Sequence, residues 1–262
     1  PHIYTIKGDS GFTSVTTWNH SHFEHFDADK IIQNMIRSPN WQIGHKYFGM
    51  TPDEIKAGWD KNRDEAAEAG TKMHYDIECY YNEMEVDNDS IEYGYFKRYL
   101  ERYGHLKAYR TEWMVYHEEL RLAGSIDMVY ECDDGSGDLL IYDWKRCRDI
   151  KKSNGFGKCG NKECIEHLHD TNYWHYCLQL NTYKAILEEK YGKINSFHGH
   201  VIDAPPKYGD LIKSITSLLL KPLTSKVSSP APSTMVNNIS GIRLDILFQI
   251  SLVDEEIDVL KP

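Results

Sequence analysis

The sequence predicts an α/β fold with a mixed central β-sheet flanked by helices, and three observations carry that expectation. Apolar residues at helical spacing recur at 27–36, 64–82, 91–103 and 171–191. Between the third and fourth of these, residues 109–118 alternate in the manner of a strand, and two apolar runs, 126–130 and 139–142, flank a Gly-rich polar turn. A strand-like run at 197–202 follows the last helix, so helices, strands, helix and strand succeed one another around one core.

Taken in order, residues 1–11 read as an edge strand and turn. The helix over 27–36 stops before Pro39. Thr51-Pro52-Asp53-Glu54 is a helix start, with proline in the first turn and acids after it. Ala66, Ala67, Ala69, Met73, Ile77 and Tyr80 then keep a mostly helical spacing, and Gly70 marks a close packing contact or a helix boundary. An amphipathic helix fits 91–103 and stops at Gly104. Tyr109, Thr111, Trp113 and Val115 alternate, and the runs on either side of 133–138 read as a β-hairpin. Residues 171–191 make a long helix ended by Gly192. Beyond Pro205-Pro206 the character changes: 211–220 suits a helix, 222–233 is a Ser/Thr/Pro-rich linker, and 241–262 regain strand-like alternation. The expected organisation is a core domain over 1–205 and a C-terminal extension over 206–262.

Composition narrows the functional classes. A chain of 262 residues, 40% hydrophobic and 27% charged, has ample material for a core. It has no apolar run of bilayer-spanning length and no basic-then-apolar leader, so no membrane partner is expected. It starts at Pro1 rather than Met, which suggests that an upstream segment has been removed. Six cysteines without a secretion signal suit an intracellular, cytosol-like reducing compartment. The net charge of −10 argues against a general nucleic-acid coat protein. It leaves room for a nuclease, because metal-ligating acids add negative charge while basic residues can be concentrated locally. Lys145, Arg146, Arg148, Lys151, Lys152, Lys158 and Lys162 form such a concentration; alone they read equally well as a solvated loop.

The chemistry centres on Gly124-Ser125-Ile126-Asp127 and, sixteen residues after Asp127, Asp143-Trp144-Lys145. Hairpin pairing brings both carboxylates to one sheet edge, and Lys145 falls on the same face as Asp143 if the strand continues. Two acids and a lysine so placed are the parts of a metal-dependent phosphodiesterase. Upstream, Gly70-Thr71-Lys72-Met73-His74 puts His74 four residues before Glu78, on one helix face. An imidazole beside carboxylates suits Mn²⁺ or Mg²⁺, although a histidine bonded to a neighbouring acid is the simpler reading. Downstream, Gln179 and Tyr183 are again four apart.

In that order, Gly-Thr-x-x-His, Gly-x-x-Asp, Asp-x-Lys and Gln-x-x-x-Tyr resemble the RecB-like branch of the PD-(D/E)XK nuclease superfamily. This branch includes CRISPR-adaptation nucleases and mitochondrial single-strand exonucleases, with lambda exonuclease a more distant relative. The likeness covers about 64–202. The aromatic N-terminal stretch is also similar to that of adaptation-nuclease-like proteins of giant DNA viruses, which implies a viral protein. The resemblance implies a restriction-endonuclease-like core and a Mg²⁺- or Mn²⁺-dependent deoxyribonuclease, an exonuclease acting at DNA ends or on single strands. It implies that Asp127, Asp143 and the main-chain carbonyl of Trp144 bind the metal, with His74 as a further ligand. Lys145 would orient or deprotonate the attacking water. Glu112 resembles an acid often found on the preceding strand, a ligand or supporting group; it and Glu78 read equally well as surface glutamates. Gln179 and Tyr183 would contact DNA or support the site, with Arg146, Arg148, Lys151 and Lys152 as further DNA contacts.

Some features depart from that pattern. No cysteine precedes Cys79 or follows Cys177, so an iron–sulfur cluster is not expected. Cys159, Cys164, His167 and His169 offer zinc-type donors at a spacing cramped for a tetrahedral site, and an irregular DNA-facing loop is the favoured reading. His20, His22 and His25 share neither a strand face nor a helix face. Ser14, Thr16 and Thr17 read as helix capping before phosphate contacts. Tyr173, Trp174 and Tyr176 are packing residues first and base-stacking surfaces second. The rival functions are a non-catalytic DNA-binding or assembly module on a nuclease-like fold, and an RNA-cleaving enzyme. The C-terminal alternation suits homo-oligomerisation.

Overall fold

The computed structural model describes residues 3–132, 135, 137–147 and 149–191, with the backbone of 197–198. The segments expected at 211–220, 222–233 and 241–262 lie outside the described residues, as do Arg148 and Gly192. The chain separates into two compact units, residues 25–94 and the remainder.

The larger unit opens with the antiparallel hairpin β1 (Tyr4–Ile6) and β2 (Asp9–Ser14). Its turn, Lys7-Gly8, has both residues at positive φ, 51° and 84°, the two-residue geometry whose twist matches a hairpin. The six-residue helix α1 (Val15–His20) follows at once. Ser14 caps it, its Oγ accepting from the Thr17 N–H at 3.0 Å, so the serine and threonine here serve the helix start.

The smaller unit holds α2 (Ala28–Ile36) and α3 (Pro52–Tyr81). A capping box starts α3: the Glu54 N–H donates to Thr51 Oγ1, and Glu54 Oε2 accepts from the Thr51 N–H at 2.7 Å. The helix then runs without a break for 30 residues, so Gly70 is not a boundary. Tolerating Gly58 and Gly70 costs up to about 1 kcal/mol each against alanine, which the capping box and a row of alanines and ion pairs offset.

After α4 (Ile91–Tyr103), β3 (Lys107–His117) and β4 (Leu122–Glu131) pair antiparallel along their length. β2 joins the start of β4 in parallel, with Thr13 opposite Leu122. β5 (Leu139–Tyr142) pairs antiparallel with the end of β4, Met128 facing Tyr142. α5 (Asn172–Lys190) follows, and β6 (Phe197–His198) lies parallel to β5; the rest of the expected 197–202 run is outside the described residues. The result is an α/β architecture with a mixed, open six-stranded sheet and β4 at its centre.

Val15 and Trp18 of α1 share a core with Leu178, Ile186 and Leu187 of α5 and with Val115, Leu122, Ile126 and Ile141 of the sheet. α5 is buried on almost every side, as a helix enclosed in a core must be. A second, aromatic cluster brackets the end of β5. Phe96 and Tyr99 meet the Trp144 ring edge-on at 5.8 and 5.0 Å, and Tyr130 meets Tyr142 at 4.9 Å. Each such buried side chain contributes roughly 1.5–3 kcal/mol, which fixes the chain on both sides of Asp143. Among the described residues no helix is long and apolar enough to cross a membrane.

Candidate metal centre

Asp127 lies on β4, and Asp143 immediately follows β5. Because Met128 pairs with Tyr142, the two aspartates stand next to each other at the point where that ladder ends. The chain does not continue as a strand beyond Tyr142, yet it stays extended enough for the Trp144 N–H to donate to Asp127 Oδ2 at 2.7 Å. Asp143 is buried, with two partners: Gln179 Nε2 donates to Oδ1 at 3.0 Å, and Lys145 Nζ forms an ion pair with Oδ2. Asp127, Asp143, Lys145 and Gln179 therefore converge.

Glu112 joins this group from β3. Its neighbours Thr111 and Trp113 pair with Met128 and Ile126, which sets it across from Asp127. Ser125 Oγ donates to Glu112 Oε2 at 2.7 Å. Glu112 also has φ of 41°, a left-handed conformation in mid-strand that costs a non-glycine residue of order 1–3 kcal/mol. Such strain is tolerated where the surroundings hold a side chain in one place, here beside Asp127. Its position makes it part of the carboxylate cluster rather than an isolated surface glutamate.

The electrostatics follow from this crowding. Burial pushes the Asp127 carboxyl well above the usual carboxylate range, and the charges of Asp143 and Glu112 push the same way; Lys145 and the Trp144 N–H oppose them. Burial pulls Lys145 down, but Asp143 and Asp127 together outweigh it and raise its pKa, so the ammonium is charged at neutral pH. Lys145 Nζ also sits 5.6 Å from the centre of the Tyr176 ring. Burial, followed by the Cys147 charge, pushes the Tyr176 phenol up to about 12.

Gly124 and Tyr183 belong to different motifs and meet in space. A Cβ on Gly124 would lie 2.6 Å from the Tyr183 ring and hydroxyl. Only a glycine lets β4 and α5 approach this closely, and that approach seats Gln179, one turn before Tyr183, on Asp143. Both Gln179 and Tyr183 are buried. Of the two roles the motif implied, support of the site fits them; direct contact with DNA does not, because neither is at a surface. Gly124→Ala is expected to destabilise the protein by about 1–3 kcal/mol through overpacking, read as a lowered Tm, and Tyr183→Phe by about 0.5–1.5 kcal/mol through loss of the hydroxyl's hydrogen bond with Gln179.

Tyr4 was not singled out by the sequence. Its hydroxyl takes a hydrogen bond from the Ser125 main chain, and its pKa is raised by burial first and then by Glu112 and Asp127. Nothing local marks it, because its place depends on the β1–β2 hairpin reaching across to β4.

His74 and Glu78 are half-buried, on α3 of the smaller unit. Arg146 is half-buried next to Lys145; Lys151 is paired with Asp149 at 3.0 Å, and Lys152 lies 4.8 Å over the Tyr173 ring. Exposed pairs of this kind are worth about 0–1 kcal/mol, so a phosphate can displace them.

The segment after Lys151 is irregular, as expected, but it is tied down along its length. Cys159 pairs with His169 across a β-bridge, the Gly160 N–H donates to Leu168 O at 3.0 Å, and Ile165 and Leu168 enter the core. Asn161 ties this arm to the carbonyls of Ser21 and Phe23, and the Trp174 indole N–H donates to Lys152 O at 2.9 Å. Among the described residues the cysteines and histidines of the arm do not gather as a metal-binding group. His22 is buried edge-on to Trp18 at 4.6 Å, while His20 faces His175. No protein-family model, curated protein or solved structure matches the chain.

Proposed function

We propose that this protein is a Mg²⁺- or Mn²⁺-dependent deoxyribonuclease of the RecB-like, PD-(D/E)XK type, acting as an exonuclease at DNA ends or on single strands. The observation that carries the reading is convergence. Asp127, Asp143 and Lys145 of one hairpin and Gln179 of α5, drawn from three motifs, meet in one place. Oxygen donors from Asp127, Asp143 and Glu112 suit a hard divalent cation. Burial first, and then the charges of Asp143 and Glu112, make the Asp127 carboxylate costly to ionise, a cost that a bound cation would offset.

Bound there, Mg²⁺ or Mn²⁺ would supply an activated water and neutralise charge on the phosphate. The Trp144 carbonyl and His74 are proposed as further ligands on the motif order alone. Gln179 holds the Asp143 carboxylate in orientation. Of the two roles open to Lys145, the geometry favours the cationic one: paired with Asp143 and kept charged, it orients water and offsets phosphate charge rather than removing a proton.

The test is a time course on end-labelled single- and double-stranded DNA, and matched RNA, with and without Mn²⁺. Metal-dependent shortening of DNA is expected, with Lys145→Ala slower by about 10²–10³-fold. Metal-independent binding without product would favour the non-catalytic alternative, and preferential RNA cleavage would overturn the substrate assignment.

A further inference from the structure

A second cluster of titratable side chains lies one helical turn from Gln179 on α5. His175 precedes Gln179 by four residues, so the two share a helix face about 6 Å apart along the axis. The intervening Tyr176 is the residue whose ring faces Lys145. His175 Nε2 is 2.9 Å from Asp170 Oδ1, and its ring is flanked by Phe23 at 4.2 Å and His20 at 5.0 Å. Asp170 therefore fixes the orientation of His175, while His20, in the last turn of α1, keeps a solvent-exposed edge.

The charges around the pair are unbalanced. Burial lowers the pKa of both imidazoles; for His175 the next cause is the neighbouring His20, and Lys145 further lowers His20. Asp170 is the carboxylate that favours their charged forms, and it serves two imidazoles beside a lysine. A second anion would let the pair hold its proton. The nearest chemistry that brings one is the phosphate backbone of a strand seated at the carboxylate centre.

We propose that His20 and His175, oriented by Asp170, form a subsite for a phosphate of the nucleic-acid strand bound beside the metal centre. The identity of this ligand rests on the nuclease reading above. His20 and His175 contact the phosphate, and Asp170 is a positioning residue.

The experiment is fluorescence anisotropy with an end-labelled single-stranded oligodeoxynucleotide in chelator, so that binding is read without cleavage. It compares the full protein with His20→Gln and His175→Gln at about pH 5.5 and about pH 8, across a salt series. Wild type is expected to bind about tenfold more tightly at the lower pH, because binding takes up a proton. His20→Gln, at an exposed edge where folding is not at stake, should lose that gain and reduce the salt slope by about 0.7, one single-strand phosphate contact. Equal pH dependence and equal slope in wild type and His20→Gln would overturn the subsite, even if wild type cleaves DNA. The expected pH-linked binding without any Mn²⁺-dependent product would leave the subsite standing and overturn the nuclease. A response of wild type to inorganic phosphate but none to the oligonucleotide would overturn the assignment to a strand.

Discussion

Asp143→Asn is expected to lower Mg²⁺- or Mn²⁺-dependent DNA cleavage by about 10³-fold or more while leaving the fold intact. The substitution is isosteric, so the amide oxygen still accepts from Gln179 Nε2, and the aromatic bracket of Phe96, Tyr99 and Trp144 is untouched. What disappears is the charge. A divalent cation bound as proposed would lose a carboxylate ligand, and Lys145 loses its ion-pair partner. Losing several kcal/mol of metal-centred stabilisation corresponds to three or more decades in rate, at about 1.4 kcal/mol per decade. Gln179→Ala should fall between, since it removes only the donor that orients the carboxylate and leaves a buried oxygen short of one hydrogen bond, about 1–3 kcal/mol. The measurement is the initial rate on end-labelled DNA at saturating Mn²⁺, with circular dichroism as the control for folding. Cleavage by Asp143→Asn within tenfold of wild type would remove Asp143 from the mechanism.

What was legible in the sequence and what was not divides along one line. Features set by neighbours in the chain could be read directly. The hairpin on either side of 133–138, the helix start at Thr51 and the helix over Ile91–Tyr103 all lie where the residue pattern puts them. Asp127, Asp143 and Lys145 belong to this group, because a hairpin register plus a two-residue spacing determines where they fall. Features set by tertiary packing could not be read. Gly124 looked like one part of a motif, and only the approach of α5 shows that its missing Cβ makes room for Tyr183. Gly70 resembled a helix boundary because local propensity favours one there, yet α3 runs through it. The left-handed turn at Glu112 has no sequence signature, since glutamate is a poor choice for that conformation. The basic run after Lys145 adds a further case. Its charges say nothing of how it is held, and Asn154, Asn161, Asn172 and Trp174 fasten its backbone. Side chains that bond to main-chain groups far away leave no periodicity to find.

Asp127→Asn is expected to do two opposite things: stabilise the metal-free protein and abolish its response to metal. At neutral pH the wild-type carboxyl has a raised pKa, so ionising it costs the folded state more than the unfolded chain. Its contribution to stability is therefore most favourable at low pH, where it is protonated, and is lost as pH rises through the raised pKa. Asparagine removes that penalty and can still accept from the Trp144 N–H through its amide oxygen. A gain of about 0.5–2 kcal/mol at neutral pH is of the size seen when a functional site is relieved of its charge. In a protein of this length it is a rise of about 1–8 °C in Tm. A divalent cation bound at the site would relieve the same cost in the wild type: at a hundredfold excess over Kd it would add about 2.7 kcal/mol. Because cation and proton compete for one carboxylate, that increment should grow from about pH 5 to about pH 8. Thermal unfolding of wild type and Asp127→Asn across this range, with chelator and with Mn²⁺, separates the two effects. A Mn²⁺-induced rise in Tm as large in the variant as in wild type would place the cation somewhere other than Asp127. A drop in metal-free Tm would mean that the carboxylate stabilises the fold and is not there to be relieved by a metal.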